Sequence, residues 1–409
     1  MSNVPPVTPQ PAAAKSGAAR IVSLDQFRGY TIAGMLVVNF IGGFAVTPIL
    51  LTHQNTFFSF ADTIMPQFFF AVGFAFRLTF GRRAKSDGLV AAYGHIVRRL
   101  LGLILISIIL DRIGQRAPNW ATLVANGPWQ ALRDPLVSGW WGPLTHIALT
   151  SLWILPVIRA GAAVRIAFAT ASALLHMALT HWFYFDFGPS AGADGGPIGF
   201  LAWTLPTIVG TLACDAITAA DGRPRLGKMI AGAAGLMTLG YVLSCGTTLY
   251  NVSEEELAAR RETKPGQKEK MSDPVIPSAE RLRTHSLTWA EPPFARAPDG
   301  DHRERNYWMM SQRVATISYH TFGAGFSLAV YVLFYFACDL RGWQLGLFRT
   351  FGSNALIAFI LHELVSSAIK PFVPGDSPWW YCMAAFALYF GVTYMMVRSL
   401  EKQKIYLKL

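Results

Sequence analysis

His53, Asp62 and Asn39 are the residues of this sequence whose types and spacing best suit chemistry. An imidazole that titrates near neutral pH can take a proton from a nucleophilic hydroxyl or amine. A carboxylate such as Asp62 can hold that imidazole in one tautomer and stabilise the imidazolium. An amide such as Asn39 can donate to a thioester carbonyl or to the oxyanion formed from it. Spacing alone also allows a plain structural reading, with His53 as an interfacial loop histidine and Asp62 as the N-cap of the next helix. Ionisable residues inside apolar runs are functional candidates in general. His146, His320 and the His362–Glu363 pair enter on that ground, beside the reading that they are interhelical hydrogen-bonding glue. His176 and His181 fit the end of a membrane helix. No histidine falls in HxxxH or HExxH spacing, and Cys214, Cys245, Cys338 and Cys382 form no CxxC, so no metal is expected.

Helices that cross a membrane must position these groups. Hydrophobic residues make up 52% of the 409 residues and charged residues only 14%, against about 25% charged in soluble domains. A bilayer-spanning helix takes about 20 mostly apolar residues. Such runs lie near 30–50, 61–80, 96–113, 137–158, 164–183, 198–219, 229–249, 314–338, 348–369 and 378–399. The expected fold is all-α and polytopic, with about ten transmembrane helices. The formal charge is +11, yet the basic residues lie in short loops between spans rather than in one groove, which argues against nucleic acid. Their asymmetry puts both termini in the cytoplasm.

Four segments follow. Residues 1–20 read as a disordered cytoplasmic tail and 21–250 as the first seven spans. Residues 251–310 form a polar extramembrane insertion, which reads as a partly disordered lid with an acidic helix start after Ser253. Residues 311–409 hold the last three spans and a cytoplasmic tail. Asp25 and Arg28 sit at the cytoplasmic entrance of the first helix. Arg28 and Asn39 lie nearly on one helical face, roughly 16 Å apart along the axis. A short loop then makes the first two helices antiparallel, so Asn39, His53 and Asp62 can converge on one side of the membrane.

Ser23-Leu24-Asp25-Gln26-Phe27-Arg28-Gly29 resembles the S-x-D-x-F-R-G opening of the heparan-α-glucosaminide N-acetyltransferase family. The similarity continues at Val38-Asn39-Phe40, at His53 and through Ala61-Asp62-Thr63-Ile64-Met65-Pro66. It resumes at Leu144–Ala148, Thr204–Ile208, Phe351–Leu356 and the tail Lys404–Leu409. The resemblance implies a membrane acyltransferase that takes an acetyl (acyl) group from cytosolic acetyl-CoA or another acyl-CoA, the donor co-substrate, and delivers it to a sugar on the opposite face. It also implies that His53 matches the family's catalytic histidine, with Asn39 and Asp62 beside it.

On this reading the donor threads in from the basic cytoplasmic side, where Arg28 with Arg82, Arg83, Arg98 or Arg99, near Asp25, meets its phosphates. The acceptor is an amine or hydroxyl of a cell-envelope glycan or glycolipid. The expected setting is a bacterial inner membrane, with membrane lipids as partners and a homodimer left open. Direct transfer and an acyl-histidine intermediate both fit the residues. The rival reading is a proton-coupled transporter or flippase that uses the same intramembrane carboxylates and histidines.

Overall fold

A computed structural model of the chain describes residues 21–110, 119–125, 127, 129, 140–192, 194–219, 221–263 and 271–407. The expected N-terminal tail and the charged end of the third span, at Asp111 and Arg112, lie outside the described residues. Among the described residues there are helices and no strand, apart from one isolated antiparallel bridge between Asn251 and Arg303. The first seven helices are α1 (Val22–Ile41), α2 (Ile64–Ser86), α3 (Leu89–Leu110), α4 (Pro143–Ile154), α5 (Ala162–Leu179), α6 (Phe185–Ala191) and α7 (Phe200–Ile217). Then come α8 (Leu226–Ser244), α9 (Glu254–Thr263), α10 (Ala279–Thr284), α11 (Ile317–Phe334), α12 (Gly346–Ser353), α13 (Ala355–Ile369) and α14 (Trp379–Lys402).

With their flanking turns, 8 helical runs among the described residues are long and apolar enough to cross a membrane, from Ala61–Ser86 to Trp379–Lys402. The shorter apolar run Pro143–Val157 and the 20 residues of α1 stand among them. The architecture is a polytopic all-α membrane protein. Its centre is formed by the runs containing α2, α7 and α11, whose apolar windows are 61%, 67% and 56% buried, against 22–28% for the other spanning runs. The outer set therefore offers most of its surface to lipid.

Two expected spans are corrected. The first helix runs from Val22 to Ile41 rather than over 30–50. Its polar start is helical because the polar groups find partners: the Gln26 amide exchanges two hydrogen bonds with the Leu345 backbone, and Ser23 N donates to Asp339 Oδ2. Beyond Ile41 the chain leaves the helix at Gly42-Gly43, and Pro48 cannot donate to a helical ladder. The run 348–369 is likewise two helices, broken at Asn354 (φ −128°, ψ 43°). Asn354 Nδ2 donates instead to the Ile405 carbonyl at 3.0 Å.

Glycines let the helices that carry the site touch backbone to backbone. A Cβ on Gly29 would fall 1.8 Å from the Phe348 carbonyl oxygen, and one on Gly352 would fall 1.9 Å from that of Asp25. The opening motif of α1 and the Phe351-Gly352 motif of α12 are thus packed directly on each other. On α2 and α7, Gly73 and Gly210 play the same part.

The 251–310 segment is a folded module in its described residues. Ser253 and Glu256 form a reciprocal capping box at the start of α9, through Glu256 N to Ser253 Oγ at 3.2 Å and Ser253 N to Glu256 Oε2 at 2.9 Å. Arg281 pairs with Asp273 at 3.0 Å and with Glu304 at 3.0 Å, and its guanidinium lies 4.4 Å over the Tyr250 ring. The hydrogen bond from Arg281 is the main reason the Asp273 carboxyl is held down to about 2.

Candidate active site

Residues 42–60 fold into a loop between α1 and α2, held by Ala45 N to the Gly375 carbonyl at 2.8 Å and Phe60 N to the Leu50 carbonyl at 3.0 Å. The chain then tightens into a 3₁₀ turn, Ala61–Thr63, which places Asp62 at the head of α2 with 0% exposure. The Asp62 side chain caps neither element. It turns back onto the loop instead. Oδ2 accepts from Ser59 Oγ at 2.8 Å, Ser59 N at 3.1 Å and Gln54 N at 3.3 Å. Oδ1 faces His53 Nδ1 at 3.0 Å. A buried carboxylate saturated in this way is a fixed acceptor, so His53 carries its proton on Nδ1 and turns Nε2 outward.

The His53 side chain is 49% accessible because the ring faces an open cavity. Burial among protein atoms would depress its pKa. The hydrogen bond and charge of Asp62, joined by the charge of Asp194, outweigh that effect and leave the pKa above the ordinary imidazole value.

Asn39 sits in the last turn of α1. Its Nδ2 lies 3.3 Å from His362 Nε2, and its carbonyl accepts from Lys370 Nζ at 2.9 Å. His362 Nδ1 in turn donates to the Phe359 carbonyl at 2.5 Å, which fixes the ring with Nε2 toward the Asn39 amide. Glu363 Oε1 stands 3.2 Å from the same Nε2. The polar partner of Asn39 is therefore His362, supplied by α13, while Asn39 and His53 both line the same cavity.

That cavity holds about 1040 Å³, at the upper end of what small-molecule sites usually offer. At one end it is lined by His53, Asn39, Glu363 and Asp194, and at the other by Arg28, Arg83 and Arg99. Asp62 and Arg83 are placed at opposite ends of α2 and lie roughly 30 Å apart at 1.5 Å rise per residue. Arg82, Arg98 and Asp25 do not line it. Adjacent helix positions are rotated by about 100°, so Arg83 and Arg99 turn their neighbours Arg82 and Arg98 away from the cavity.

The structure adds groups that sequence reasoning missed. Asp194 is 4% exposed and accepts from Gln312 Nε2 at 2.5 Å. Tyr319, fully buried, reaches Gln312 Oε1 at 2.9 Å and the Asp62 carbonyl at 2.8 Å. This chain of contacts ties Asp194, the turn before α11 at Gln312 and the head of α2 together behind His53. The readable signal was Asp194, an acidic residue in the Gly-rich run Gly192–Gly199 between two spans. His146 is fully buried, with no hydrogen-bond partner on either ring nitrogen; it does not itself line the cavity, although Trp141, 6.1 Å away ring to ring, does. His320 is also fully buried and donates from Nδ1 to the Thr316 carbonyl at 2.9 Å. Among the described residues no cluster of three or more His, Cys, Asp or Glu has metal-binding geometry.

Residues 20–203 match the family model described as heparan-alpha-glucosaminide N-acetyltransferase, catalytic. No curated protein matches the chain. The matched span carries Arg28, Asn39, His53, Asp62, Arg83, Arg99 and Asp194, whereas Gln312, Tyr319, His362 and Glu363 lie beyond it. Residues 20–203, which hold the His53–Asp62 pair and the basic end of the cavity, are thus similar to the catalytic part of the heparan-alpha-glucosaminide N-acetyltransferase family, a family of membrane acetyltransferases.

Proposed function

We propose that this protein moves an acetyl group from acetyl-CoA, or an acyl group from another acyl-CoA, to an amine or hydroxyl of a sugar or glycolipid on the far side of the membrane. The observation that carries the reading is one continuous cavity that joins Arg28, Arg83 and Arg99 to His53. Arg28, Arg83 and Arg99 offer planar, permanently charged donors to the phosphates of the donor. The roughly 16 Å between Arg28 and Asn39 along α1 is of the order that an extended phosphopantetheine arm reaches. The thioester is thereby delivered to Asn39.

There His53 Nε2 takes the proton of the acceptor N–H or O–H as its lone pair attacks the thioester carbon. The Asn39 amide donates to the oxyanion, and Asp62 stabilises the imidazolium through Nδ1. Collapse of the tetrahedral adduct breaks the C–S bond, and the imidazolium returns its proton to the leaving thiolate, so that CoA departs as the thiol. The basic end faces the cytoplasm on this reading, with both termini on that side, in a bacterial inner membrane.

The deciding test uses purified protein in detergent with acetyl-CoA and a panel of amino sugars and polyols. CoA release with acetylated product, lost in His53→Ala, supports the assignment. A folded wild type that neither binds nor consumes any acyl-CoA would overturn it and favour proton-coupled transport instead.

A further inference from the structure

The polar insertion is anchored at its base and reaches the loop that carries His53. Its base is clasped by Val252 N to the His302 carbonyl at 2.8 Å and Glu304 N to the Tyr250 carbonyl at 2.9 Å. Arg303, 3% exposed, bolts that base to the segment above it, with Asn251 Oδ1 at 2.7 Å and both Glu291 oxygens at 2.6 and 3.1 Å. Tyr241 OH holds the Ala290 carbonyl at 2.8 Å. From these anchors the chain reaches across to the loop that carries His53. Phe294 N donates to the Phe58 carbonyl at 2.8 Å, and the two rings meet edge to face at 5.7 Å.

Phe58 is completely buried, also against Phe322 at 4.8 Å and Tyr319 at 5.4 Å. The next residue, Ser59, donates from N and Oγ to Asp62 or from Oγ to the Thr52 carbonyl, the residue before His53. A shift of Phe58 therefore reaches both members of the His53–Asp62 pair through two residues. Phe294 adopts φ +69°, the left-handed region that a residue with a Cβ rarely occupies. Such a conformation persists only where surrounding contacts over-determine it, and it concentrates at functional sites.

We infer that residues 288–303 are a strap that fixes the His53 loop, with Phe294 as its positioning residue for the transfer reaction. The inference rests on the proposed acyl transfer for its kinetic consequence, but its structural content is the geometry of His53 itself. A displacement on the order of 1 Å at a catalytic group can cost about 10²-fold in rate, so a contact this remote from the chemistry can still govern it.

The experiment compares full-length wild type, Phe294→Ala, Phe294→Leu and Phe294→Tyr, each in detergent. The readouts are kcat, KM for acetyl-CoA, melting temperature and the titration of His53 followed by NMR of labelled histidine. The expected result for Phe294→Ala is a fall in kcat of about tenfold or more with KM unchanged. The His53 inflection should also move from its raised position toward the ordinary imidazole value, as its contact with Asp62 and the charge of Asp194 loosens. Phe294→Tyr restores both, because the ring is kept. If Phe294→Ala does not fold, Phe294→Leu carries the test with smaller changes in the same direction. A variant that melts earlier but keeps the wild-type His53 titration and kcat would make Phe294 a stability residue and overturn the strap. If wild type shows no acyl transfer at all, the functional proposal fails, while the His53 titration still decides the strap.

Discussion

His53 Nδ1 stands 3.0 Å from Asp62 Oδ1, and that contact joins a loop outside the apolar helices to a carboxylate sealed at the head of α2. It leaves Nε2 as the imidazole nitrogen free to face the cavity, and it sets the proton on Nδ1 that Asp62 accepts. The wild-type pH profile follows from it. With neutral His53 as the proposed base and its pKa raised, kcat/KM should climb with pH and level only above about 6.5. Asp62→Asn removes the hydrogen-bonded charge and leaves the burial that lowers the pKa. The inflection should then move to lower pH, and the plateau should drop on the order of 10²-fold or more. Rate profiles of both proteins across pH 5 to 9 check this; an unmoved inflection would mean that His53 is not the titrating base.

Asn39 and His362 should act as one unit, because His362 Nε2 lies 3.3 Å from the amide that would hold the oxyanion. Asn39→Ala is expected to lower kcat by about 10²–10³-fold, the usual loss of an oxyanion donor. His362→Ala should cost less, and the double variant no more than Asn39→Ala alone. A double-mutant cycle in kcat reads this directly, since independent losses would multiply instead.

The arginines at the basic end should act on the nucleotide part of the donor. Arg83→Ala and Arg99→Ala are each expected to raise KM for acetyl-CoA by about tenfold or more, the worth of a charge-assisted hydrogen bond. With S-acetylpantetheine, which lacks the nucleotide, the same variants should match wild type. Arg82→Ala and Arg98→Ala, which face away from the cavity, should change KM little with either donor. Equal effects of all four would assign the arginines to a general surface potential.

Gly29→Ala should destabilise the fold strongly, because its Cβ would fall 1.8 Å from a backbone oxygen of α12 that no side-chain rotation can move. The overlap exceeds ordinary overpacking, which costs about 1–3 kcal/mol, so low yield or a markedly lower melting temperature is expected. Gly81→Ala is the control, since its Cβ would meet nothing within 4 Å. A thermal-shift assay in detergent compares the two, and equal melting temperatures would sink the packing argument.

Residue type and order by themselves determined the all-α membrane architecture, the candidacy of His53, Asp62 and Asn39, and the likeness of the opening motif to an acetyltransferase family. Those properties are local or additive: apolar length makes a span, and a short loop makes neighbouring helices antiparallel. Only the tertiary structure decided the rest. Helix α1 begins at Val22 because its polar residues find partners some 300 positions away on the Asp339–Leu345 stretch, which hydropathy cannot register. The choice of Arg83 and Arg99 over Arg82 and Arg98 came from the rotation of two helices against one cavity. His362, Tyr319, Gln312 and Phe294 reach the site from beyond the first seven spans, through contacts whose sequence separation leaves no periodic trace. Long-range pairing of this kind is a property of packed surfaces, and it exists only once the helices have been brought together.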